Sequence, residues 1–317
     1  MHVAEFSTPQ ERKEMSTNSD FYGWLAVIFD WAIIALAMTA AGRYPNPLTI
    51  LVAIILIGGR QLGLGILVHE CVHRSLFRTR ALNDFAGKWF CGAAIWQDLP
   101  RYREHHLKHH QWAGTATDPD TSLVAAFPVT RASLARKFLR DLTGITGLKR
   151  LYGLFMMDAG IWKYTIAAEI VPLDQTGRST WDKARSAFFH MIPMLIANAF
   201  LFAIFFAVGK PWLYLLWIGS YLTTFSLFLR IRSIAEHGCT EQNPDPRLHT
   251  RTTLAGFFER ATIAPHRVHF HIEHHILMSV PYFRLRRFHK ALAARGVLDQ
   301  AYISKSYAHV LQSVTKR

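Results

Sequence analysis

Four long apolar runs constrain this chain more than any other feature: Trp24 to Ala41, Leu48 to Val68, Ala187 to Val208 and Trp212 to Leu229. Each comes close to the roughly 20 residues that a helix needs to cross a hydrocarbon core. Short turns join the members of each pair, so the sequence predicts an all-α integral membrane protein with four transmembrane helices arranged as two hairpins, 24–68 and 187–229. The runs are not purely apolar. Asp30 falls in the first, Arg60 in the second and His190 in the third, and each of these must face protein or water. For His190 the expectation is a buried ring hydrogen-bonded to a neighbouring helix.

The polar remainder falls into an N-terminal tail, 1–23, and two large segments, 69–186 and 230–317. Of the 36 Lys and Arg, all but Arg43, Arg60 and Lys210 lie in these stretches, which places them on the cytoplasmic side by the positive-inside tendency. Half of the residues are hydrophobic although the net charge is +14, a combination that requires segregation rather than mixing. The basic residues are spread over segments bounded by spans, so anionic lipid headgroups or an acidic protein are the expected counterparts, and nucleic acid is not. Three cysteines, Cys71, Cys91 and Cys239, show no C-x-x-C pair, as expected of a reducing compartment. The first 20 residues are polar and lack a secretory apolar core, so the first apolar run reads as a retained anchor.

Seventeen histidines are placed unevenly, with clusters reading HECVH at 69–73, HHLKHH at 105–110, EHG at 236–238 and HRVHFHIEHH at 266–275. On a helix His69 and His73 share a face, as do His106, His109 and His110, and again His271, His274 and His275. His105 is one residue out of phase, about 100° around the helix, which makes it a candidate partner of a ligand rather than a ligand. Inward-pointing neutral imidazoles need partners, and clustered protonated ones repel, so three such faces imply metal. Eight histidines exceed what one zinc takes, and two ions fit the number. An imidazole-rich pocket with open positions for oxygen suits iron, while ligand type alone leaves copper and zinc open. His2, His249, His289 and His309 are expected in solvent, and Cys71 is expected to pack because its side chain leaves the face shared by His69 and His73.

These residues resemble the integral-membrane fatty acid desaturase and hydroxylase superfamily, whose signature is three histidine boxes of the forms HxxxH or HxxxxH, HxxHH and HxxHH. All three occur in order here, as HECVH, HLKHH and HIEHH, with the first two between the second and third spans and the last after the fourth. The resemblance runs from about Trp24 to about His289. It implies that His69, His73, His106, His109, His110, His271, His274 and His275 hold two irons, and that His237 of RSIAEHG is a further ligand. The stretches DPD at 118–120 and HHILMSVPYFRLRRFH from His274 are similar to bacterial members, which implies a bacterial inner membrane with termini and active site cytoplasmic. Asp118 and Asp120 either accept hydrogen bonds from ligand N–H groups or form a solvated turn around Pro119. Glu70, Glu236 and Glu273 are further candidates for such support, each next to a proposed ligand.

The implied activity is O2-dependent removal of hydrogen from an alkyl chain, with desaturation of an acyl lipid first and hydroxylation or ketolation of a lipid, alkane or carotenoid second. A heme-binding HPGG segment does not occur, so electrons are expected from a separate carrier such as ferredoxin or a cytochrome with its reductase. Two rivals come from other classes. One is an intramembrane zinc metalloprotease using HECVH with Glu70 as base, which would leave two boxes without a use. The other is a non-catalytic membrane protein that stores or senses metal.

Overall fold

The computed structural model describes residues 5–166 and 169–316, so His2 lies outside the described residues. A short helix, α1 (Pro9–Met15), precedes the first long pair, α2 (Asp20–Arg43) and α3 (Pro47–Val72). The cap then continues through α4 (Arg80–Ala86), a π-helical turn at Gly87–Gly92, α5 (Leu99–Trp112), α6 (Thr121–Val124), α7 (Arg131–Leu142) and α8 (Ile145–Asp158). A second apolar pair follows, α9 (Thr180–Ala207) and then α10 (Leu213–Leu222) with α11 (Thr224–His237). The chain closes with α12 (Pro246–His249), α13 (Phe257–Ala261), α14 (His271–Ile276), α15 (Leu285–Ala294) and α16 (Tyr307–Ser313). Strands among the described residues are two-residue parallel pairs, β1 (Val129–Thr130) with β4 (Thr315–Lys316) and β2 (Thr252–Thr253) with β3 (Ile303–Ser304).

Four helices are long and apolar enough to cross a membrane: α2, α3, α9 and the α10–α11 pair. Their starts are written locally. Asn46 caps α3 by accepting from Leu48 N and Thr49 N with Pro47 at the first turn, and Ser179 and Asp182 form a reciprocal capping box at α9. Two boundaries differ from the apolar runs. Helix α3 does not stop at Val68 but carries HECV as its last turn, with His73 as the C-cap. The fourth run is interrupted at Thr223, where φ −107° and ψ −87° break the helix. There Thr223 Oγ1 donates to Gly219 O at 2.6 Å, alongside the Thr223 N–H that bonds the same carbonyl, and Thr224 Oγ1 donates across to Ile54 O of α3 at 2.8 Å, so the hydroxyls add hydrogen bonds at the break and tie it to the first hairpin.

Asp30 and Arg60 meet inside the first hairpin, Nη1 to Oδ1 at 2.9 Å, with Asp30 fully buried and Arg60 3% exposed. The sequence requirement that both face protein is met by mutual neutralisation. His266 Nε2 adds a contact to Asp30 Oδ2 at 2.7 Å, and Arg60 Nη2 donates to Ala261 O at 2.7 Å. The hairpin is thereby tied to the segment that leads into the third box. Close approach is needed for this, and a Cβ on Gly63 would fall 2.5 Å from Asp30 Oδ2.

His190 departs from expectation. It is exposed, with Nδ1 3.7 Å from Asp98 Oδ2, because it lies beside Phe188 and Phe189 on the outward face of α9, whose other face carries Asn198, Leu201 and Phe205 toward the neighbouring helices.

Replacing Asp30 with Ala leaves the Arg60 guanidinium buried and unpaired, which should cost about 3–5 kcal/mol. Thermal unfolding in detergent should show a large drop in midpoint, and adding Arg60→Met should restore much of it. A single variant as stable as the parent would show that the pair is not shielded from water.

Candidate metal centre

The three boxes arrive from different helices, and backbone capping sets where each one stands. The last carbonyls of α3 have no partner within the helix. Arg103, from α5, supplies one: Nη2 donates to Cys71 O at 2.9 Å and Nε to Val72 O at 3.2 Å, which places the box-2 helix beside HECVH. Arg251 does the same for α11, donating to Ala235 O at 3.1 Å and Gly238 O at 2.7 Å beside His237. Box 3 on α14 rests on its own small core of Phe270, Ile272, Val280, Leu285, Phe288 and Leu292. Glu273, buried beneath it, accepts from Thr252 Oγ1 at 2.6 Å and from His289 Nδ1 at 2.6 Å.

The result brings together all nine histidines singled out by the sequence. Ring nitrogens of His69, His73, His106, His110 and His274 lie within 4.8 Å of one another, and those of His109, His237 and His275 form a second group of the same span. His271 joins the second group through Nε2, 2.9 Å from His237 Nε2. The two groups touch, with His109 and His110 rings 5.5 Å apart.

The donor set calls for cations. A neutral ring nitrogen carries either one hydrogen or one lone pair, never two of either. His110 Nε2 lies 3.0 Å from both His106 Nε2 and His274 Nε2, so it can satisfy one of them at best. Two ligands at right angles about 2.1 Å from a common ion would be separated by a similar distance. Both ring nitrogens of His69, Nε2 of His73 and of His275, Nδ1 of His106 and Nδ1 of His271 are buried with no partner. Such orphans are costly unless something else fills the space between them. Burial holds the imidazoles of His106, His110, His274 and His275 well below the ordinary histidine range, with neighbouring imidazoles adding to the effect, and puts His73 at about 3. They are therefore neutral, the form that ligates metal.

His109 differs. Burial opposes its protonation, but the Asp118 and Asp120 carboxylates outweigh burial and raise it above the usual value. His109 Nδ1 donates to Asp118 Oδ1 at 2.8 Å, which leaves Nε2 to face the second group. His237 is held likewise, Nδ1 donating to His249 O at 3.1 Å. His105 Nε2 bonds Asp120 Oδ1 at 2.7 Å, outside both groups. The DPD stretch is thus engaged with box-2 histidines, not free in solvent.

The other three carboxylates stand differently. Glu70 Oε1 is 3.8 Å from His69 Nδ1 and Glu236 Oε1 is 3.6 Å from His271 Nδ1, both beyond hydrogen-bond reach, and Glu273 serves Thr252 and His289. Glu70 Oε2 accepts from Ser75 Oγ and Tyr282 N, each at 3.0 Å, so one oxygen is committed to the backbone and a serine while the other stays short of bonding His69. A zinc hydrolase needs that glutamate as a base over the metal, and this geometry does not provide it.

Two histidines assigned to solvent lie inside. His249 is 5% exposed, its ring 5.4 Å from that of His275, and His289 is partly buried against Glu273. His309 remains exposed, with Nδ1 3.0 Å from Ser304 Oγ. His266 carried no assignment, and the only sequence signal for it was an unpaired carboxylate at Asp30 that required a partner. Cys71 is buried and packs in the main core as expected.

A membrane-spanning, mostly helical chain with this histidine-lined cavity belongs to the fatty acid desaturase family, whose profile matches residues 45–306. The chain is also similar to the dihydrorhizobitoxine desaturase of Bradyrhizobium elkanii, with 26% identity over 275 residues, 84% of this chain and 74% of that protein.

Asp118→Asn keeps the shape of the side chain and removes its charge from behind His109. Metal should be held 10–100-fold less tightly. The measure is the chelator concentration that strips half of the bound metal, and an unchanged value would remove Asp118 from the role.

Proposed function

We propose that this protein is a di-iron, O2-dependent desaturase that introduces a C=C bond into the alkyl chain of an acyl lipid. The convergence of nine imidazoles in two touching groups, several with buried ring nitrogens that have no partner, carries the reading. His69, His73, His106, His110 and His274 would hold one iron, and His109, His237, His271 and His275 the other. Bound iron supplies the reduction of O2 and the removal of hydrogen from an unactivated C–H bond.

The chain's own contribution is placement. Asp118 and the His249 carbonyl fix the tautomers of His109 and His237, and Arg103 and Arg251 fix the helix ends on which His69, His73 and His237 stand. Hydrogen removal at two adjacent carbons rather than one depends on holding the alkyl chain to within a fraction of an ångström, which rigid, capped helices favour. The name of the Bradyrhizobium relative supports alkene formation over hydroxylation. Electrons would come from a separate carrier such as ferredoxin or a cytochrome with its reductase. Segments 69–186 and 230–317 would face the cytoplasm of a bacterial inner membrane, as their basic content supports.

Expression in a host with iron supplied, followed by lipid profiling, tests the reaction. New double bonds are expected, and new hydroxyl groups instead would move the protein to the hydroxylase branch. Plasma mass spectrometry of the detergent-purified chain should find two irons. His109→Ala and His274→Ala should abolish activity and lower iron, while His190→Ala keeps both. Equal loss in all three variants would overturn the ligand assignment.

A further inference from the structure

A cleft of about 170 Å³ runs from the polar surface to the second imidazole group, and its walls include Asp118, Asp120, His237, Cys239, Glu241 and His249. His249 is the unusual member. Its Nδ1 donates to Asn243 O at 2.8 Å, which leaves the lone pair on Nε2, and that nitrogen is buried without a hydrogen-bond partner. The ring itself is 5% exposed and stands edge to face against His275, 5.4 Å between centroids. A buried acceptor kept free by a fixed tautomer is a ligand waiting for a cation or a water, and its Nε2 does not fall within the group formed by His109, His237 and His275.

Charge points to the cation. The chain carries +14, so its surface as a whole repels divalent metal. This cleft is lined by three carboxylates. Asp118 and Asp120 each commit one oxygen to a histidine of α5, His109 and His105 respectively, and Glu241 accepts from Tyr302 Oη at 2.9 Å, so each keeps a second oxygen for an ion. His237 lines the cleft and belongs to the metal centre, so the cleft ends at a proposed ligand.

We propose that the cleft is the port through which divalent iron reaches the centre, with His249 Nε2 taking the ion first and passing it to His237. The port rests on the reading of the nine histidines as iron ligands. His249 is a transit ligand and not part of the finished coordination. Cys239, the exposed one of the three cysteines, lines the same cleft.

The test follows uptake. Full-length apoprotein in detergent is mixed anaerobically with ferrous ion, and bound iron is measured over time by plasma mass spectrometry after rapid desalting. His249→Phe keeps a ring in place and removes Nε2, together with the Nδ1–H that bonds Asn243 O. Uptake at least tenfold slower than in the parent is expected, with the same final iron content. If that variant does not fold, iodoacetamide on the parent apoprotein gives the same information. Alkylated Cys239 should slow uptake, whereas alkylation after loading should release no iron. Uptake within twofold of the parent under either treatment overturns the port, and so does a lower final iron content in His249→Phe. A parent chain that binds no iron at all would instead bring down the metal-centre reading beneath it.

Discussion

Neutral imidazoles facing one another in a buried cluster are the constraint around which this molecule is organised. Burial removes their protons, and without protons their lone pairs converge with too few hydrogens to bridge them. A cavity of this kind is stable only when its walls are held from behind. The backing is visible at each box: Arg103 on the end of α3, Arg251 on the end of α11, Asp118 behind His109, and Glu273 with Thr252 and His289 beneath α14. Most of these supports come from residues far from the boxes in sequence.

A second constraint acts in the spans, where hydrocarbon forbids an isolated charge. Asp30 and Arg60 answer it by pairing, and the pair then does more than neutralise itself. Through His266 and the carbonyl of Ala261 it anchors the loop that precedes box 3. The membrane hairpin and the metal cavity are therefore one mechanical unit. Helix α9 buries fully only Ala187 and is joined to the rest through Asn198, which accepts from Tyr214 Oη and Trp217 Nε1 and donates to Ala94 O.

The helical class, the four spans and the nine histidines could be read from the chain because each is a local pattern. Apolar length reports a membrane helix, and spacing of three and four reports a shared helical face. The same reading placed His249 and His289 in solvent and His190 in a buried contact, and all three placements fail for one reason. A lone histidine has no periodicity of its own, so its burial depends on what packs over it. His249 is covered by the return of 243–250 against box 3, while His190 lies on the outward face of its helix.

The sequence by itself determined which residues could ligate metal and which segments could enter a bilayer, since both follow from side-chain chemistry and its period along the chain. Only the tertiary structure decided how the nine histidines divide into two groups, which carboxylates stand behind them, and that a tenth histidine lines an acidic cleft beside them. Those outcomes depend on crossing points between helices such as α3, α5, α11 and α14, tens to hundreds of residues apart in the chain. Hydrogen bonds from Arg103, Arg251 and Thr252 set those crossings, and no local pattern encodes where such partners will meet.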